Sequence, residues 1–341
     1  MAYSSPAHTA IVILNWNGLK FLQEFLPSVV AHSAGCEVIV ADNASTDGSV
    51  AFLQEDFPQV RLILLPENYG FCEGYNRALR QVEATYYVLL NSDVAVPQGW
   101  TQPVIDLMDS DASIAVCQPK IISQQHPDFF EYAGAGGGLL DALGYPYCRG
   151  RLFETLEEDR GQYNDVQEIF WATGACMFVR ADVYRALGGL EPAFFAHMEE
   201  IDFCWRAKNA GYKVLYNGQS AVYHVGGGTL HKSNPRKTYL NFRNGLALLY
   251  KNIPSRELFS TMMLRVLLDW VAALRMVLAG QKKDAKAVLA AHRDLLRNRS
   301  YWRNRRQAQR QKGNFPDMPG VYRGSIVWQY FVRQKRTVQE L

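Results

Sequence analysis

Cysteine is scarce in this 341-residue chain: there are six, and no two form a CxxC pair. That spacing excludes a zinc ribbon and a dithiol redox site, and most of the six lie inside apolar runs, as reduced, buried residues of a cytosolic protein do. No GxGxxG follows the first apolar run and no P-loop is present, so neither a dinucleotide-binding enzyme nor a Walker-type NTPase is expected. The opening residues lack a basic leader followed by an apolar core, so no signal peptide is expected. The best membrane candidate, residues 258–280, is interrupted by Arg265, Asp269 and Arg275, which argues against a spanning helix. Internal repeats and low-complexity tracts are absent too.

What is present is an ordinary globular composition, 48% hydrophobic and 20% charged, with its charge unevenly spread. Residues 282–312 hold eleven Lys or Arg against Asp284 and Asp294, a local net of +9. Residues 313–341 add +2, which leaves −8 for residues 1–281 in a chain of net charge +3. An acidic body with a basic tail region fits a partner that carries phosphate, either lipid headgroups or nucleic acid. Arg265, Asp269 and Arg275 fall on one stripe about 120° wide at 100° per residue, the pattern of a helix lying on a membrane or against a partner. That helix favours an anionic membrane surface over nucleic acid for residues 258–312, with packing in a homodimer as the alternative.

Short aliphatic runs at 10–16, 36–42, 60–66 and 85–93 alternate with amphipathic segments near 18–32, 46–56 and 73–83. This is the β-α-β-α rhythm of a parallel sheet buried on both faces. Ligands of open α/β sheets bind at the carboxyl ends of the strands. Polar clusters stand at each such end: Asn15, Trp16 and Asn17; Asp42 and Asn43; Asn68; Asn91, Ser92 and Asp93. The Gly-rich residues 133–150 read as a mobile loop or hairpin, and from 236 onward the pattern turns helical.

Several of these positions carry chemistry. A carboxylate at a strand end, Asp42, is placed to accept from a nucleobase imide or a ribose hydroxyl, or only to cap a turn. Asn91 and Asp93, two apart on an extended backbone, point the same way and suit a hard cation that completes its shell with phosphates, or else only close a strand-end turn. Gly70 and Gly74 flank a helix start where backbone approaches a ligand closely. His224 precedes three glycines. Glu199, Glu200 and Asp202 are crowded among Phe194, Phe195, Phe203 and Trp205, where burying charge is costly. They are either a solvated helix face or a catalytic group.

Taken in order, "VILNWNG", "VIVADNASTDGS", "NYGFCEGYNRAL", "LLNSD", "WATGACMFVRADVYRALGGLEPAFF", "EEIDFCWRAKNAGYKV" and "HVGGGT" resemble the family-2 glycosyltransferases, in the bacterial rhamnosyltransferase-like branch, over residues 9–250. The resemblance implies a GT-A fold, an α/β Rossmann-like, mixed but mainly parallel sheet with flanking helices. Residues 1–250 would form the glycosyltransferase domain, its nucleotide-sugar half at 1–100 and its acceptor half at 101–250, with 251–341 a helical, basic C-terminal region. Asn15 and Asp42 would contact the nucleoside, and Asn68 and Asn76 would shape its pocket. Asp93 matches the last Asp of the DxD metal motif, whose first position is here Asn91, and His224 would complete the site for Mg²⁺ or Mn²⁺. Trp171, Thr173 and Gly174 match the acceptor side.

An inverting transfer needs a base for the acceptor hydroxyl. Glu199 and Glu200 match the family's acidic pair, with Glu200 the expected base although Asp is usual there, Glu199 its rival, and Asp202 structural or acceptor-orienting. The implied reaction moves a sugar from a dTDP- or UDP-linked donor, L-rhamnose in this branch, to a glycan or lipid-linked acceptor at the inner face of a bacterial membrane. A non-catalytic nucleotide-sugar binder would lack the base or the metal residue. A sugar-nucleotide pyrophosphorylase would carry a basic Gly-rich loop where "LNWNGLKFLQEF" stands.

Overall fold

The computed structural model describes residues 7–226, 234–309 and 313–341. The four aliphatic runs form β1 (Ala7–Asn15), β2 (Glu37–Asp42), β3 (Arg61–Leu64) and β4 (Ala84–Leu90), joined by α1 (Leu19–His32), α2 (Ser49–Asp56) and α3 (Gly70–Leu79). They pair in parallel in the order β3-β2-β1-β4. Ile11, Val12 and Ile13 on β1 and Val88, Leu89 and Leu90 on β4 are all sealed from water. Burial on both faces is why these strands read as unbroken apolar runs rather than alternating ones. Helix α3 starts three residues earlier than the pattern predicts, because Gly70 adopts a positive φ of 72° and turns the chain directly into it.

After β5 (Val94–Ala95), α4 (Gln102–Ser110) and β6 (Ile114–Ser123), the Gly-rich stretch forms a hairpin of β7 (Gly138–Asp141) and β8 (Pro146–Cys148). The chain continues through β9 (Arg151–Leu152) and β10 (Thr155–Leu156), which extend it into an antiparallel meander in a second sheet. Next, β11 (Val166–Glu168), β12 (Cys176–Arg180), α5 (Ala181–Ala186), α6 (Glu199–Ala210) and β13 (Lys213–His224) complete the main sheet, ordered β11-β13-β6-β12-β4-β1-β2-β3, with β5 on β13. The sheet is mixed, as expected: the long ladders β13–β6, β4–β1, β1–β2 and β2–β3 are parallel, while β12 runs antiparallel to both β4 and β6. Strand β4 stops at Leu90, so Asn91 to Asp93 lie on a turn instead of the extended strand end expected from sequence.

The remaining helices are α7 (Pro235–Asn252), α8 (Ser255–Leu278), α9 (Lys282–Arg297) and α10 (Arg299–Gln307), followed by β14 (Val321–Tyr322) and α11 (Ile326–Phe331). The C-terminal region is thus not purely helical, and it is woven into the body. Strand β14 pairs with β7, Val321 opposite Leu140, and the Asp141 carboxylate accepts from the Ile326 amide at 3.0 Å. Among the described residues no helix is long and apolar enough to cross a membrane. Part of the expected basic region, residues 310–312, lies outside the described residues.

Candidate active site

The residues expected to contact the nucleoside sit at the carboxyl ends of β1 and β2. Asn15 is fully buried, and its Nδ2 donates to Asp42 Oδ2 (2.9 Å) and Ser45 Oγ (3.1 Å). Its Oδ1 is buried with no partner, an acceptor left open for an imide or hydroxyl donor. Gly18 must be glycine here, since a Cβ would lie 2.4 Å from that oxygen. Asn43 accepts from Tyr69 N and donates to Asn68 Oδ1 and Gly70 O, so Asn43 and Asn68 tie the end of β2 to the start of α3. Asn17, at φ 51°, accepts from Thr46 N. Trp16 is 52% exposed at the rim, and Ser92 lies beside Gly18. Asn76 behaves otherwise than expected: its amide is committed to Leu190 N and O and to the Tyr184 hydroxyl, so it pins the chain entering residues 190–198 instead of lining a pocket.

The metal side gathers around buried His224. Its Nε2 is 3.1 Å from Asp93 Oδ1 and 3.4 Å from Asn91 Nδ2, while its Nδ1 is 3.0 Å from Glu131 Oε2. Glu131, a lone acid between aromatics, was not signalled by any motif. Burial alone would depress the imidazole, but the Asp93 and Glu131 carboxylates overcome it and lift His224 to about 10. Gly226 is required as glycine, because a Cβ there would sit 2.3 Å from Glu131 Oε1. Gly227 and Gly228 lie outside the described residues. Among the described residues no three His, Cys, Asp or Glu side chains form a ready ligand set. As it stands, His224 is a cation held between two carboxylates; only after a metal displaces its Nε2 proton would it join Asp93 as a second donor, with Glu131 on the far ring nitrogen fixing the imidazole as outer carboxylates do for metal-binding histidines. These residues fit a divalent cation whose shell is completed by phosphate oxygens.

The acceptor side and the acidic pair are linked by contacts. Asn91 N donates to Ala175 O, Gly174 lies under Phe71, and Gly70 lies under Phe195. Trp171 is buried, its Nε1 donating to Leu139 O at 2.9 Å, and its ring leaves no room for a Cβ at Gly138. Thr173 N donates to Gln118 Oε1 (2.9 Å), and Thr173 Oγ1 accepts from Ala175 N (3.2 Å). The chain then enters α6 through Phe195, His197 and Met198, at φ 65°, 68° and 73°. Such conformations are costly for large side chains and persist only where the surroundings impose them. Asn244 on α7 does so, with its Nδ2 3.0, 2.8 and 2.7 Å from the carbonyl oxygens of Phe194, Ala196 and His197. Arg243 adds a bond to Ala193 O.

The loop delivers three carboxylates into two different environments. Glu199 Oε2 and Glu200 Oε2 are buried without partners. Burial, aided by the neighbouring Glu200 charge, pushes Glu199 well above the ordinary carboxylate range. Burial also raises Glu200 to about 7, against the pull of backbone N–H groups at the helix start. Asp202, equally buried, meets Arg206 Nε (2.8 Å), Lys251 Nζ (2.9 Å) and Asn252 Nδ2 (2.9 Å). Burial would raise it, but Lys251 and Arg206 bring it down to about 2. Lys251 also binds Glu191 Oε2 at 3.0 Å. The α7 residues Asn244, Lys251 and Asn252 therefore build the site, although no motif marked them.

A polar face at the ends of β1 and β2, a His–carboxylate pair at Asp93 and two acids that each bury one oxygen without a partner are the candidate site. Residues 10–188 match glycosyl transferase family 2, and the chain belongs to that family. It is 24% identical over 233 residues to the N-acetylglucosaminyl-diphospho-decaprenol L-rhamnosyltransferase of Mycobacterium tuberculosis, covering 63% of this chain and 75% of that relative. It is 22% identical over 243 residues to the low-salt glycan biosynthesis hexosyltransferase Agl10 of Haloferax volcanii, covering 69% and 73%. Its fold is shared with the mannosyltransferase PcManGT of Pyrobaculum calidifontis, solved with GDP-Man and Mn²⁺ (TM-score 0.53, 15% identity, 89% of this chain and 84% of that one). GalNAc-T7, solved with UDP, GalNAc and Mn²⁺, is similar too (TM-score 0.56, 15% identity, 72% and 48%). The protein is a GT-A glycosyltransferase.

Proposed function

We propose that this glycosyltransferase moves a sugar with inversion from a nucleotide donor to a hydroxyl of a lipid-linked or glycan acceptor, with Glu200 as base. The observation that carries the reading is the pair of carboxyls, each with one buried oxygen left without a partner, that a strained, clamped loop presents at the start of α6. A carboxyl raised to about 7 is ionised enough to accept a proton near neutrality and basic enough to hold it. The acceptor hydroxyl gives its proton to Glu200 as its oxygen bonds the anomeric carbon. The bond from that carbon to the diphosphate breaks on the opposite face, and the nucleoside diphosphate leaves. Asp93 and His224 would hold Mg²⁺ or Mn²⁺, which supplies positive charge to the departing diphosphate. Asp42 and Asn15 are assigned to the nucleoside, and Trp171, Thr173 and Gly174 to the acceptor side.

Similarity to a rhamnosyltransferase favours dTDP-L-rhamnose as donor and a polyprenyl diphosphate-linked sugar as acceptor, and similarity to a hexosyltransferase keeps a UDP-hexose as the second candidate. Nucleotide release from a panel of donors, with each metal and a lipid-linked acceptor, tests the assignment. Glu200→Gln should lose transfer by about 10²–10⁴-fold while still binding donor. Full activity in Glu200→Gln with a dead Glu199→Gln would move the base to Glu199.

A further inference from the structure

Sequence periodicity put Arg265, Asp269 and Arg275 on one stripe of α8, and the fold turns the middle of that stripe inward. Arg265 and Asp269 are buried and paired at 3.1 Å, with the Arg265 guanidinium 3.8 Å above the Tyr145 ring. Asp269 also takes His292 of α9 at 3.2 Å, and Gly245 on α7 leaves space for the guanidinium. A buried, hydrogen-bonded charge pair fixes the rotational setting of the helix that carries it. The opposite face is thereby forced outward, and it is apolar: Phe259, Leu267 (55% exposed), Trp270, Val271 (63%), Leu274 (60%) and Leu278 (81%). A contiguous exposed face of this kind on a soluble body marks an interaction surface.

The charge beside it says what it meets. Trp270 Nε1 donates to His292, so the outward faces of α8 and α9 adjoin. On α9, Lys282, Lys286, Leu289, Arg293 and Leu296 follow at helical spacing, and all are exposed. The acids of the two helices are engaged elsewhere: Glu257 with Arg256 and Phe315 N, Asp284 with Thr238, and Asp294 with Asn298. The strip therefore presents apolar side chains rimmed by positive charge on a chain whose first 281 residues carry −8. A second copy seated on the same face would meet its own bases across an apolar seam, whereas acidic lipid headgroups complement both parts.

We propose that the outward faces of α8 and α9 dock the protein on an anionic lipid bilayer, the apolar side chains entering the headgroup–acyl boundary and Lys286 and Arg293 meeting lipid phosphates. Docking needs neither donor nor acceptor, so it stands or falls separately from the transfer reaction. Flotation of the full chain with phosphatidylcholine vesicles, with and without about 30 mol% phosphatidylglycerol, tests it. Wild type should float with the acidic vesicles, and Leu267→Gln/Val271→Gln/Leu274→Gln should lower partitioning by about tenfold or more. Lys286→Glu/Arg293→Glu should abolish the preference for acidic over neutral vesicles. Wild type that stays unbound at low salt overturns the proposal. So does a concentration-dependent dimer that the triple substitution dissociates without any vesicle binding, or retention of wild type on nucleic acid but not on acidic vesicles.

Discussion

Helix α6 hides charge from water and helix α8 shows water its apolar side, and the partners of the buried charges separate the two cases. In α8 the inward Arg265 and Asp269 satisfy each other and their neighbours, so they orient the helix and do nothing else. In α6 the same economy holds for Asp202, whose Arg206, Lys251 and Asn252 partners leave it no proton to exchange near neutrality. It fails for Glu199 and Glu200, which are buried with an oxygen apiece unmatched. Burial alone therefore does not separate chemistry from scaffolding. Pairing does.

The strongest way to break this contrast is at Glu200. Since only the ionised carboxylate is a base, and burial raises it to about 7, wild-type turnover should rise as pH climbs through that value. The same raised carboxyl, ordinarily 4.5, should make the folded chain lose stability as pH rises from about 4.5 to about 7. Glu200→Gln should lose transfer and yet flatten that decline, gaining on the order of 1–2 kcal/mol at pH 8 in urea titrations. Next in size, Lys251→Met strips Asp202 and Glu191 of a buried cation and should cost about 3–5 kcal/mol of stability by chemical denaturation. Asn244→Ala releases the Phe195–Met198 loop. It should cost about 1–3 kcal/mol, and kcat should fall by about tenfold or more with donor affinity unchanged. Smallest is the outward face of α8, where the triple Gln variant should shift stability by less than about 0.5 kcal/mol, because those side chains already face water. A loss of several kcal/mol there would mean the face is packed in the free protein, and the contrast would collapse.

Local pattern carried much of this architecture. The β-branched runs, the strand-end asparagines and aspartates, and the carboxylates of 199–202 were all legible, because each depends on neighbours a few residues away. What escaped was long-range pairing. Lys251 reaches Asp202 across 49 residues and Glu131 reaches His224 across 93, and neither leaves a periodic trace. The periodicity of α8 showed which residues share a face, but a wheel has no outside until Tyr145 and His292 say which side is occupied. The turn at Asn91–Asp93 was one of two readings of the sequence, since Asn-Ser-Asp suits a strand end and a turn equally. Which strand runs antiparallel was not legible, because the apolar composition of β12 is the same in either direction.

Strand β14 gives the molecule an order of assembly. The edge of β7 that β14 covers is laid down about 180 residues before its partner, so during synthesis it stays open until β14 follows. Removing Val321–Ile326 would leave that edge uncovered, along with the Asp141 carboxylate that the Ile326 amide meets. Strand β14 thus acts as a latch on the second sheet, closing an edge that would otherwise be free to pair with another chain.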